Sequence, residues 1–168
     1  MSQTNEPVDI AAYLHTYEQL RQAVEGLSAE QLRWKTTEKT WSVAEVLTHL
    51  ADHNIVVSFR IREILSGSVV SLPAFAQDPW VAAQKANEGR VEDALSIFRS
   101  LLVYNGSLFE RLSDEGWEKT GVNFRGETVT VAGIVRSFIA HVQSHLGQID
   151  RIKRGETEAR NAGSSCAI

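Results

Sequence analysis

Apolar residues recur at helical spacing along four stretches that together take up most of the chain. In the first, Ile10, Leu14, Tyr17, Leu20, Val24 and Leu27 follow Pro7 with the period that gathers them on one helix face. Ser28 and Gln31 then fit a capping box, opening a short turn that carries Leu32 and Trp34. A second stripe runs through Val43, Val46, Leu47, Leu50, Val57, Ile61 and Ile64, behind a further capping box of Ser42 and Glu45. It should stop at Ser66-Gly67, where glycine accepts the left-handed cap conformation.

The third stripe begins near Arg90 and keeps its period through Val91, Leu95, Phe98, Leu101 or Leu102, Asn105, Leu108 and Leu112. The fourth covers about Val131 to Arg154, on Ile134, Val135, Phe138, Val142, His145, Leu146, Ile149 and Ile152. Lys153 and Arg154 favour the negative end of its dipole, and Gly155 closes it.

The connections are unequal. Between the second and third stripes lies a long segment in which Pro73 forbids a continuous helix. Asp78 and Pro79 read there as an N-cap and a first-turn proline, opening a short helix through Trp80. Such a length suits a crossover between helices that do not form a tight antiparallel hairpin. Residues 113–129 are irregular, and Thr128 to Val131 have some strand character. The expectation is an all-α four-helix bundle with a long crossover between helices 2 and 3 and short extra helices. It forms a single domain over residues 1–155, followed by a polar, flexible tail over 156–168.

Composition narrows the class. The 168 residues are 43% hydrophobic and 23% charged, enough for one domain with its own core. A net charge of −4 without a Lys/Arg-rich run argues against nucleic acid as a partner. The polar start MSQTNEPVDI has no leader-like apolar core, and no apolar run approaches the ~18–20 residues of a membrane span. Cys166, the single cysteine, has no partner within the chain, which suits a reducing compartment. A cytoplasmic protein is expected.

The histidines carry the candidate chemistry. His49 with His53, and His141 with His145, are both spaced i,i+4; two such pairs among five histidines arise by chance roughly once in a hundred sequences. Residues four apart share a helix face, so two imidazoles can converge on one cation. His141 and His145 lie on the side of Phe138, Val142 and Ile149, toward the bundle interior or a pocket at its edge. HVQSH lacks the glutamate of HExxH, which removes a zincin-type general base. A third ligand would come from another helix, and spacing leaves His49 and His53 as equal donors. His15 reads as an ordinary surface histidine. Trp34 and Trp117 read as packing residues, Trp41 and Trp80 as walls of a pocket mouth, and Arg60 and Arg62 as solvent-facing.

The segment Trp41-Ser42-Val43-Ala44-Glu45-Val46-Leu47-Thr48-His49-Leu50-Ala51-Asp52 resembles the first motif of the DinB/YfiT-like superfamily. The segment from His141 to Ile149, HVQSHLGQI, is similar to its second motif, and Asp78-Pro79-Trp80 to the segment after helix 2. The resemblance implies a dimeric bundle with one divalent metal ion on His49, His141 and His145. It places His53 beside the metal or in the pocket, and makes Asp52 and Gln148 candidates to orient ligands. Three neutral imidazoles leave a coordination position open, as catalytic sites do, and suit zinc, nickel, iron(II) or manganese. The resemblance also implies a small-molecule substrate. The first reading is transfer of a low-molecular-weight thiol of the bacillithiol or mycothiol type to an electrophile. The alternatives are hydrolysis of a small amide or ester, with His53 or Asp52 relaying a proton, and non-catalytic binding of a metal or ligand.

Overall fold

A computed structural model describes residues 6–156. Four long helices, α1 (Ile10–Val24), α3 (Val43–Leu65), α5 (Val91–Phe109) and α7 (Val131–Lys153), form the bundle. Between them come α2 (Ala29–Arg33), α4 (Gln77–Ala83), a 3-10 turn (Ala86–Glu88), α6 (Asp114–Glu118) and the antiparallel hairpin of β1 (Thr120–Val122) and β2 (Thr128–Thr130). The expected four-helix bundle is present.

Local signals set the helix starts. Ser28 and Ser42 each accept from the backbone N–H three residues on, while Gln31 and Glu45 reach back to the cap N–H, closing both capping boxes. Thr130 accepts from Gly133 and starts α7 straight out of β2. Gly67 takes φ +79 just beyond α3, the left-handed conformation that ends it.

Side-chain pairs across the bundle fix its topology. Tyr13 meets Phe109 and Asn105, while Tyr17 lies under Arg99, so α1 and α5 are antiparallel. Asn54 donates to the Phe98 carbonyl and Arg62 to Asn105, so α3 and α5 run parallel. His49 faces His141 and His145 while His53 stacks on Phe138, so α3 and α7 are antiparallel. Helices α1 and α3 each pack between α5 and α7, on opposite sides of the bundle. Because α3 and α5 are parallel neighbours, the chain must return the length of the bundle between them. Residues 66–90 make that return, with α4 and the 3-10 turn packed on α3.

The core is built on Tyr13, Leu20, Leu50, Ile61, Phe98, Phe109, Ile134 and Phe138, all essentially without solvent contact. Burial of each such side chain contributes about 1.5–3 kcal/mol. Gly106 lets α1 approach α5, since a Cβ there would stand 2.9 Å from Leu14 Cδ2. One polar node crosses three helices: Asn105 donates to Tyr13 Oη and Ser58 Oγ and accepts from Arg62. Burial holds the Tyr13 hydroxyl well above the ordinary tyrosine range.

Several expectations need correction. Helix α4 starts at Gln77 with Ala76 as its N-cap, so Asp78 lies inside the first turn, where its charge favours the helix dipole. Leu14 is 39% exposed, and Tyr13 and Thr16 take the buried face of α1 instead. Leu112 lies beyond α5, which ends at Phe109. Arg60 is fully buried, because its position on α3 faces the returning crossover, where it donates to the Pro73 carbonyl. Trp34 is 43% exposed, with the edge of its ring beside Gly155 at the end of α7. Glu156 donates its N–H to the Arg151 carbonyl, and the rest of the expected tail, with Cys166, lies outside the described residues.

Candidate metal centre

The first turns of α3 and the second half of α7 lie side by side at one end of the bundle, because the two helices are antiparallel. Here the histidine pairs meet. His141 Nε2 lies 3.3 Å from His49 Nε2 and 3.1 Å from His145 Nε2. Ligand atoms of all three fall within 4.8 Å of one another, and the cluster contains imidazoles only. The edge of a tetrahedron on metal–nitrogen bonds of about 2.0–2.1 Å is about 3.3–3.4 Å. The two separations from His141 lie within about 0.3 Å of it, and the third, between His49 and His145, is under 4.8 Å.

Charge and hydrogen bonding lead to the same fit. Burial, reinforced by the neighbouring imidazoles, pulls His49 down to about 2 and His141 to about 3. His145 is lowered too, mainly by burial and against the effect of its bond to Gln148. All three are therefore neutral at pH 7, the form in which imidazole binds a metal. A single proton on His141 Nε2 could serve only one of the two nitrogens facing it. One divalent cation would serve all three.

The rings are held differently. His49 is fully buried, its Nδ1 has no hydrogen-bond partner, and packing fixes it: Trp41 lies 4.9 Å away and Phe75 is parallel to it at 5.8 Å. His145 Nδ1 instead lies 2.6 Å from Gln148 Oε1. Phe75 belongs to the crossover and packs edge-on against Trp80, so this segment roofs the centre. Nothing in the sequence reading singled out Phe75, although a large apolar residue two positions after Pro73 in a loop was a usable signal.

His53 stays out of the three-nitrogen cluster. It is fully buried between Phe75, Phe138 and His141, and neither ring nitrogen has a hydrogen-bond partner. Burial, then the nearby histidines and Arg60, keeps it neutral. The Asp52 carboxylate accepts from Gln84 Nε2 at 2.7 Å, tying α3 to the end of α4, and burial raises its pKa. Trp41 is buried against His49, whereas Trp80 is 41% exposed at the rim. His15 is exposed on α1 and takes no part.

Fold and centre together define a four-helix bundle protein in which His49 from one helix and His141 and His145 from another converge on a site shaped for a divalent cation. The chain belongs to the DinB superfamily, whose family model matches residues 12–149. It is 26% identical over 137 residues to OB0413 of Oceanobacillus iheyensis, by name a candidate metal-dependent hydrolase, covering 81% of this chain and 79% of that one. Its fold is similar to that of YfiT from Bacillus subtilis, described as a candidate metal-dependent hydrolase with an unusual four-helix bundle topology. That likeness has a TM-score of 0.82 at 19% identity, over 93% of this chain and 95% of the other. A mycothiol-dependent maleylpyruvate isomerase shares the fold with a TM-score of 0.67 at 10% identity, over 83% of this chain but only 58% of its own. No helix among the described residues is long and apolar enough to cross a membrane.

Proposed function

We propose that His49, His141 and His145 hold one divalent ion, and that the protein is a metal-dependent enzyme transferring a low-molecular-weight thiol to a small electrophile. The observation that carries this reading is the cluster of three imidazoles, which has no carboxylate among its ligand atoms. A divalent ion there would supply Lewis acidity, lowering the pKa of a bound thiol or water toward neutrality. A thiol, at about 8.5, starts far closer to ionisation than water and needs no base for it. The likeness in fold to a mycothiol-dependent isomerase supports the choice of thiol.

The chain's own residues do the remaining work. Trp41 and Phe75 clamp His49, Gln148 holds His145, and the crossover covers the centre so that a small reactant is partly shielded from water. Zinc, nickel, iron(II) and manganese all suit three imidazoles. A second reading is hydrolysis of a small amide or ester, favoured by the names of OB0413 and YfiT. In it Asp52 or His53 would relay the proton. The protein is further proposed to act as a cytoplasmic homodimer, paired through the outer faces of α3 and α5, where Ile55, Phe59, Ile97 and Tyr104 are exposed.

The test is consumption of a low-molecular-weight thiol with a generic electrophile, with and without added metal, in wild type and His145→Ala. Metal-dependent consumption lost in the variant is expected. Absence of any thiol consumption overturns the transferase reading, and metal-dependent ester cleavage without thiol would establish the hydrolase in its place.

A further inference from the structure

We propose that Gln148 is a positioning residue: its side-chain oxygen fixes His145 as the Nδ1–H tautomer and so aims a bare Nε2 at the cluster. Gln148 lies one turn after His145 on α7, is only 4% exposed, and has its Oε1 2.6 Å from His145 Nδ1. A carbonyl oxygen can only accept, so the proton of that bond belongs to Nδ1. The other ring nitrogen must then carry a lone pair, and it lies 3.1 Å from His141 Nε2.

His49, by contrast, is oriented by two aromatic faces and leaves its Nδ1 without a hydrogen-bond partner. Packing fixes the plane of that ring but not its tautomer. His145 is partly exposed and packs on the other two imidazoles at 4.4 and 4.7 Å, with Trp41 farther off at 6.4 Å; ring packing leaves its tautomer open, and the hydrogen bond to Gln148 sets it. An acceptor at Nδ1 also makes Nε2 more basic, which strengthens it as a ligand.

The consequence for metal affinity rests on the three-histidine reading; the tautomer does not. Nitrogen-15 correlation spectra of the metal-free protein at pH 7.5 read the His145 tautomer directly, in wild type, Gln148→Glu and Gln148→Met. Glutamate keeps an acceptor at the same reach, and methionine keeps the volume without one. Expected are an Nδ1–H ring in wild type and Gln148→Glu, mixed tautomers in Gln148→Met, and a zinc Kd in the methionine variant weaker by about 10- to 100-fold. An Nε2–H ring in the wild type would overturn the proposal without reference to any variant. So would an unchanged Nδ1–H ring in Gln148→Met. If the tautomers behave as stated while the wild type binds no zinc, the positioning role stands and the metal reading fails.

Discussion

His49 and His141 bury neutral imidazoles, held at about 2 and about 3, in place of solvated side chains that titrate near 6.5. The unfolded chain therefore takes up protons first as pH falls. Stability of the metal-free protein should be intact above pH 6.5 and decline steadily below it. Each such imidazole adds a slope of about 1.4 kcal/mol per pH unit until its folded pKa is reached. Urea unfolding at a series of pH values between 7.5 and 5 checks this, with His49→Leu expected to flatten the dependence. A pH-independent midpoint across that range would mean that the rings are not buried as described. At this scale the sequence was readable where chemistry repeats at a fixed spacing, as in the two histidine pairs. It was unreadable where tertiary packing decides: Arg60 looks like a surface cation until the crossover is laid over it, and spacing alone does not separate His49 from His53, a choice that came from the motif resemblance.

Helices announced themselves through their ends as much as through their stripes. Both serine capping boxes and the Gly67 stop were legible because the partners lie within one turn of each other. Two short elements were not, since α6 and β1 have five and three residues and are held by what they pack on rather than by a periodic pattern. The outer faces of α3 and α5 bear on assembly. Arg62 lies over the Tyr104 ring at 4.6 Å, and Ile55 and Phe59 on α3 and Ile97 and Tyr104 on α5 are exposed. Phe59 is 49% exposed, so a charge there should cost the fold little while disrupting the proposed dimer. Light scattering should give twice the chain mass for wild type and a monomer for Phe59→Glu. A monomeric wild type at micromolar concentration would remove the dimer.

For the whole molecule, the order of elements determines where the chemistry can lie. Parallel α3 and α5 require the long return, the return brings Phe75, Trp80 and Gln84 over α3, and antiparallel α3 and α7 bring the histidine pairs to one end. The sequence displayed the length of the return but not what it covers, because Phe75 acquires its place only when the bundle has closed. Calorimetric titration of the metal-free protein with zinc tests the central claim most directly, run on wild type and on alanine variants of His49, His53, His141 and His145. One ion per chain is expected in wild type and in His53→Ala, with affinity falling by orders of magnitude in the other three. Wild-type affinity in His49→Ala, or loss of binding in a folded His53→Ala alone, would contradict it.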